Sequence, residues 1–166
     1  MYFIKHSINW CKGEIFEGRM IFLFGIIFLI ITFSFWKYGT TPSAKALIIP
    51  IFILSVLSIG TGLSMNFSNQ KNIVSFEKAY NENAQNFVKK EKERTEAFIK
   101  WYPFTRYVGA GLILTGLLLF LFTILPLWKS ISLCLIVLAF AVLVIDYFSE
   151  ERANQYHYQI LNYYQQ

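Results

Sequence analysis

The chain has 166 residues, of which 55% are hydrophobic and only 15% are charged, and its formal net charge is +5. Soluble domains carry roughly a quarter charged residues, so this composition argues against an ordinary soluble enzyme or binding domain. The basic excess follows the segments between apolar stretches and forms no separate patch, so no nucleic-acid partner is expected. The length suits one domain.

The charged residues are unevenly distributed, which indicates membrane spans. No Asp, Glu, Lys or Arg occurs in four stretches of the chain, 20–36, 46–70, 107–128 and 130–145. An α-helix needs about 20 mostly apolar residues to cross the hydrocarbon core of a bilayer. The sequence therefore predicts an all-α integral membrane protein with four transmembrane helices in two hairpins, together with amphipathic cytoplasmic helices.

Residues 1–19 are predicted to form an interfacial helix. Four residues recur at helical spacing and share one apolar face: Ile4, Ile8, Cys11 and Ile15. A helix of this kind lies in the plane of the membrane surface with its apolar face toward the lipid. The alternative is that the first membrane helix simply begins early. Cys11 and Cys134 form no disulfide framework, and both are expected to be free thiols.

The first transmembrane hairpin is assigned to residues 20–65, and its second span, Ala46–Met65, is the more polar one. Small residues spaced four apart let helices approach closely. The sequence predicts a helix-packing face, or alternatively the lining of a hydrated pore in an oligomer. Its members in the second and third spans are Ser58, Gly60, Gly62, Ser64, Gly111 and Thr115.

The central segment 66–107 is the largest polar part of the chain, and it is predicted to be a cytoplasmic helical segment. Asn81 or Asn83 is predicted to cap a helix that continues into the third span, with a kink at Pro103. An apolar stripe at helical spacing precedes and follows the cap: Ile73, Phe76, Tyr80, Ala84 and Phe87. The charges over 89–100 recur at i, i+4, which is typical of a solvated helix face. The alternative is that this charge run binds a partner or anionic lipid.

The second hairpin is assigned to residues 108–145, and the tail 146–166 is predicted to continue its last helix into the cytoplasm. Arg152 and His157 have a spacing that some RNA-cutting enzymes use. Because the match involves only two residues, it arises easily by chance. Asp146, Glu150 and His157 fall near one line of the helix and offer a weak alternative as metal ligands. No catalytic, cofactor-binding or metal-ligating residue is predicted, and no cofactor is expected.

Loop charges predict the orientation. Twelve of the fifteen Lys and Arg residues, and all ten acidic residues, lie in the N-terminal, central and C-terminal segments. The positive-inside rule therefore predicts that both termini are cytoplasmic, in a bacterial inner membrane. Trp10 and Trp101 are predicted at the inner membrane boundary, and Trp36 and Trp128 at the outer one.

The predicted function follows from this architecture. We expect a non-enzymatic scaffold, accessory or regulatory subunit that sits in the lipid bilayer and uses its cytoplasmic helices to bind a protein partner or its own copies. The alternatives are an oligomeric pore or channel, and a membrane-tethered enzyme that acts through Arg152 and His157.

Overall fold

The computed structural model describes residues 3–164, which form four long α-helices. These are α1 (Phe3–Tyr38), α2 (Pro42–Glu82), α3 (Ala84–Phe122) and α4 (Pro126–Tyr164). Each of the four contains a stretch long and apolar enough to cross a membrane. The all-helical class and the four apolar helices expected from the sequence are thus confirmed.

The helices are much longer than a bilayer is thick. They contain 36 to 41 residues, which at a rise of 1.5 Å per residue gives lengths of about 54 to 62 Å. The hydrocarbon core measures about 30 Å. Each helix therefore has an apolar half that fits this core and a polar half that extends beyond it. We call the four polar halves, residues 3–19, 66–82, 84–107 and 146–164, the polar bundle.

Short connections join the helices. Asn83 ends α2 and begins α3: its side-chain oxygen accepts a hydrogen bond from the Asn86 amide at 2.9 Å, and its own amide donates to the Ala79 carbonyl at 3.1 Å. One extended residue thus satisfies backbone groups at both helix ends. Of the two asparagines predicted as the cap, Asn83 has this role. At the beginning of α2, the Thr41 side-chain oxygen accepts a hydrogen bond from the Ala44 amide.

The apolar halves of α1 and α2 pack against each other through glycines. A Cβ atom at Gly18 would lie 2.9 Å from Met65, and one at Gly25 would lie 2.7 Å from Ile59. Residue numbers rise along α1 as they fall along α2, so the two helices are antiparallel. Ser55 adds a hydrogen bond across the contact, since its hydroxyl donates to the Gly25 carbonyl at 2.9 Å.

The apolar halves of α3 and α4 form a similar antiparallel contact. Gly109 lies against Leu143 and Gly116 against Ile136, in each case with room for no Cβ atom on the glycine. Small residues let the helix backbones approach until dispersion contacts are close, which is how helices associate where hydrocarbon surrounds them. α3 continues through Pro103 as one helix.

The predicted segment boundary at residue 19 does not interrupt α1, which is helical from Phe3 onward. Gly18 lies inside this helix, against α2. Cys11 and Ile15, on the apolar face predicted to lie on the membrane, are instead buried. Residues 1–2 of the N-terminal segment and 165–166 of the tail lie outside the described residues.

The polar bundle has its own core, to which all four helices contribute. It contains Phe3, Trp10, Phe87, Val88, Tyr156 and Ile160, with Ile4, Phe76, Ala79, Tyr80 and Tyr163 packed around them. Three residues of the predicted central stripe therefore contact this core. Trp10, predicted in an aromatic belt at the membrane boundary, is only 8% exposed and stacks on Tyr156 at a centroid distance of 5.3 Å. Trp36, Trp101 and Trp128 are exposed.

Candidate functional site

Arg152 connects the end of α4 to the beginning of α1. Its guanidinium donates a hydrogen bond to Glu14 at 3.1 Å and forms an ion pair with Glu17. The arginine side chain crosses α1 at Gly13, where an added Cβ would lie 2.9 Å from the arginine Cδ. Gly13 thus leaves the space through which Arg152 reaches both carboxylates.

Acidic groups outnumber the basic group in this cluster. Glu17 is 7% exposed, and burial raises its pKa to about 6, although the charge of Arg152 acts in the opposite direction. Burial alone would lower the pKa of Arg152, but the charges and hydrogen bonds of Glu17 and Glu14 raise it. The charge of Asp146 also raises the pKa of Glu17. A single guanidinium therefore balances the carboxylates only in part, and we call Glu14, Glu17, Asp146 and Arg152 the Arg152 cluster.

α3 is tied to the same cluster. The Tyr102 and Ser149 hydroxyls lie 3.1 Å apart, and Ser149 also reaches Glu14 at 3.5 Å. Arg106 of α3 forms an ion pair with Glu150 of α4. These contacts join three helices at the level where their apolar halves end.

A second polar network lies deeper in the polar bundle and centres on Tyr156. Its hydroxyl donates to Glu91 at 2.8 Å and lies 2.7 Å from the Ser7 hydroxyl. Glu91 also accepts a hydrogen bond from the Arg94 Nε at 2.9 Å, and the Arg94 guanidinium lies 4.2 Å from the Trp10 ring centre. Burial and the nearby charge of Glu91 raise the pKa of Tyr156, which keeps the phenol protonated. Its donor and acceptor capacity is used to hold α1, α3 and α4 together.

The candidate residues of the tail have different partner helices. Arg152 contacts α1, whereas His157 lies 3.3 Å from Glu96 of α3 and Glu150 pairs with Arg106 of α3. Within residues 3–164, no group of three or more His, Cys, Asp or Glu residues is placed to hold a metal ion. The contacts of the tail are thus spread over two neighbouring helices.

The residues of the predicted helix-packing face differ in their burial. Gly62 is buried, since a Cβ there would lie 2.6 Å from the Gly18 carbonyl oxygen, whereas Gly60 and Gly111 have no neighbour within 4 Å. The exposed members are Gly60, Ser64, Gly111 and Thr115, and Ser58 is half-buried with its hydroxyl bonded to its own helix. Gly60 and Ser64 line an open groove of about 420 Å³ on the apolar half.

The end of the polar bundle farthest from the apolar halves carries an open recess of about 660 Å³. Amides, phenols and one lysine line it: Asn83, Gln85, Asn86, Lys89, Tyr163 and Tyr164. Lys92 lies next to it, with its ammonium 5.7 Å from the Tyr164 ring centre. The recess exposes hydrogen-bonding groups but contains no buried charged side chain.

No sequence motif marks the residues that hold the site together. Glu14 and Glu17 are spaced i, i+3, so they share a face of α1. The same face carries Cys11, Ile15 and Gly18, which are buried. Two acidic residues on the buried side of an amphipathic helix indicate a basic partner on another helix. That signal is present in the sequence, but it does not identify Arg152 as the partner.

No known protein-family model, no characterised protein and no solved structure matches this chain. The chemistry open to the protein is therefore inferred from the contacts described above.

Proposed function

We propose that the protein is a non-enzymatic membrane scaffold, or an accessory or regulatory subunit, that offers its polar bundle to a protein partner or to a second copy. The observation that carries this proposal is that the inward-facing carboxylates are bonded to groups of other helices. Arg152 of α4 bonds to Glu14 and Glu17 of α1, and the Tyr156 hydroxyl of α4 donates to Glu91 of α3. Networks of this kind rigidify helices and fix their register, whereas an acid or base catalyst needs a reactive group open to a substrate.

The proposed membrane arrangement is two transmembrane hairpins with both termini and the polar bundle in the cytoplasm of a bacterial cell. It is supported by the twelve Lys and Arg residues that belong to the polar halves, against three near the opposite ends of the helices. The antiparallel contacts of α1 with α2 and of α3 with α4 also support it. In this arrangement the polar bundle is the only large water-exposed surface of the described chain.

The scaffold proposal is tested by the mass and composition of the assembly. The protein is purified in a mild detergent and in lipid nanodiscs, and its protein mass is measured by light scattering and native mass spectrometry. We expect a second protein or a second copy in addition to the 19.4 kDa chain. A lone monomer at every concentration and in both environments would contradict the proposal.

A charge-reversal pair then identifies the surface that binds. Lys89→Glu changes the recess at the end of the polar bundle, whereas Lys45→Glu changes an exposed lysine at the opposite end of the molecule. If the polar bundle binds the partner, the first substitution weakens the assembly and the second leaves it intact. The reverse result would assign the interaction to the other side of the membrane.

Orientation has a separate test. A periplasm-active reporter enzyme is fused after Gln166 in one version and inserted between Gly39 and Thr40 in another. The proposed topology predicts activity for the inserted reporter and none for the C-terminal fusion. Activity after Gln166 would overturn the orientation.

A pore is the second candidate, and one observation favours it. Gly60, Ser64, Gly111 and Thr115 are small or hydroxyl-bearing residues that are exposed on the apolar halves, where several copies of the chain would bring them together around an aqueous path. Ion flux into liposomes should then fall when Gly60 is replaced by Leu, a position where an added Cβ meets no atom of a neighbouring helix. The absence of flux in the wild type, or unchanged flux in the variant, counts against a pore.

A further inference from the structure

The charged residues of α1 are sorted by the direction in which they point. Both carboxylates, Glu14 and Glu17, turn inward to Arg152. The opposite face carries Lys12, Phe16 and Arg19, which are spaced i, i+4 and i+7 and are all exposed. The outer face of α1 near the apolar half is therefore basic and aromatic, and it contains no acidic residue. The segment contains both acidic and basic residues, but its exposed outer face carries only positive charge.

α2 carries a matching face at the same level. Phe67 and Lys71 are exposed and spaced i, i+4. Because α1 and α2 are antiparallel and Gly18 lies against Met65, residues at equal distances from this contact lie at the same level along the helix axes. Phe16 and Phe67 are each two residues from it, and Lys12 and Lys71 are each six residues from it, or about 9 Å along the helices.

This level coincides with the edge of the bilayer. Arg19 is the last charged residue before the uncharged stretch 20–36, and Lys71 is the first after the stretch 46–70. Phe16 and Phe67 are 64% and 63% exposed. Exposed phenyl rings are unfavourable in water, but they are stabilised at the boundary between headgroups and acyl chains, where neighbouring Lys and Arg residues meet lipid phosphates.

Two arginines on the other side of the molecule are paired with carboxylates. Arg106 of α3 is in an ion pair with Glu150, and Arg152 of α4 is in ion pairs with Glu14 and Glu17. By contrast, Lys12, Arg19 and Lys71 take part in no ion pair within residues 3–164. Near the end of the apolar halves, α1 and α2 therefore carry three cations without a protein counter-charge. On α3 the corresponding cation is Lys100, which is exposed beside Trp101 and Phe104.

We propose that Lys12, Arg19 and Lys71, together with Phe16 and Phe67, form a surface that binds the phosphate groups of anionic phospholipids. The phenyl rings enter the headgroup boundary, and the three cations bind the phosphates around them. The bound lipid holds this part of α1 and α2 at the membrane surface. The lipid site does not depend on the proposed scaffold function.

The test measures lipid retention. The protein is purified in micelles that contain equal amounts of phosphatidylglycerol and phosphatidylcholine. It is then released from the micelles in a native mass spectrometer, and the molecules of each lipid that remain bound are counted. The wild type should retain phosphatidylglycerol in preference. The triple variant Lys12→Gln, Arg19→Gln, Lys71→Gln should lose most of this preference. Each basic residue near an anionic surface contributes a factor of roughly five, so three removals weaken retention on the order of 100-fold.

A matched control removes the same charge elsewhere. The variant Lys78→Gln, Lys89→Gln, Lys90→Gln also loses three exposed cations, but these lie toward the far end of the polar bundle, and it should retain phosphatidylglycerol like the wild type. Added salt should reduce the wild-type preference, since it screens exposed charges.

Three outcomes would overturn the proposal. They are equal retention of both lipids by the wild type, an equal loss of preference in the control, and an acidic protein that occupies the surface and is not displaced by phosphatidylglycerol. Micelles have no sidedness, so a wrong orientation would appear in the reporter fusion after Gln166 and would leave lipid retention unchanged. A missing protein partner would likewise appear only in the mass of the assembly.

Discussion

Two glycines of α2, two residues apart, should respond in opposite ways to the same substitution. A Cβ atom at Gly62 would lie 2.6 Å from the Gly18 carbonyl oxygen, 2.6 Å from the Phe22 amide nitrogen and 2.8 Å from the Phe22 Cβ. These atoms belong to the backbone of α1 or are fixed directly to it, so none can rotate away. At Gly60 an added Cβ meets no atom within 4 Å. Gly62→Ala therefore forces α1 and α2 apart, and Gly60→Ala does not.

The magnitude follows from two terms. Replacing Gly by Ala inside a helix stabilises it by about 1 kcal/mol, and this gain is common to both variants. Overpacking of a close contact costs typically about 1–3 kcal/mol, and it applies only at Gly62. The free energy of unfolding should thus be about 1–3 kcal/mol lower for Gly62→Ala than for Gly60→Ala. For a chain of this size, that difference corresponds to roughly 2–12 °C in Tm.

Thermal unfolding is measured in a single detergent. It is monitored by the circular-dichroism signal of the helices and by the fraction of protein that stays monodisperse after heating. Gly60→Ala should melt at or above the wild-type temperature, and Gly62→Ala at or below it. If Gly62→Ala melts at the same temperature as Gly60→Ala or higher, the close contact between α1 and α2 is incorrect, and with it the level assigned to the lipid surface.

Three further predictions concern the polar bundle. Arg152→Met leaves Glu14 and Glu17 without their cation and should lower the free energy of unfolding by about 3–5 kcal/mol. Arg106→Met, at a half-exposed ion pair, should lower it by less than about 1 kcal/mol. If denaturant titrations gave similar losses of unfolding free energy for both variants, the Arg152 cluster would not be buried. Burial raises the pKa of Glu17 from 4.5 to about 6, so its contribution to stability is fully present below about pH 4.5 and is lost as the pH rises through 6. The loss is on the order of 2 kcal/mol, and Glu17→Gln should remove this part of the pH dependence. Cys11 is fully buried with a pKa raised to about 11. In a Cys134→Ser variant, which removes the other free thiol, a maleimide should therefore label Cys11 only after unfolding in SDS. Rapid labelling of this folded variant, read from its mass, would show that this part of α1 is open.

Local features of the sequence determined the helices and most of their chemistry. The four apolar helices follow from stretches without charge, because the free energy of transfer to hydrocarbon is nearly a sum over single residues. The cap at Asn83 follows from one side chain that bonds a backbone amide three residues on. The apolar stripe around Phe76 and Phe87 follows from the helical period alone.

The tertiary structure decided which residues meet. Periodicity gives the angle of a residue on its own helix, but it does not give the rotation of that helix against its neighbours. Glu17 and Arg19 are two residues apart, yet one is buried against Arg152 and the other faces outward. Trp10 was expected at a lipid boundary on composition and position, and it lies in the core of the polar bundle because Tyr156 and Arg94 reach it from other helices.

The same reason limits what could be foreseen of the site. The spacing of Arg152 and His157 along α4 drew attention to the tail, but the carboxylates that Arg152 binds lie 138 and 135 positions earlier in the chain. The energy of an ion pair depends on the separation and burial of both partners. The sequence therefore determines which segments enter the bilayer and which residues share a helix face. Only the packing of α1 against α4 determines that the acidic residues of α1 turn inward and leave a basic surface outside.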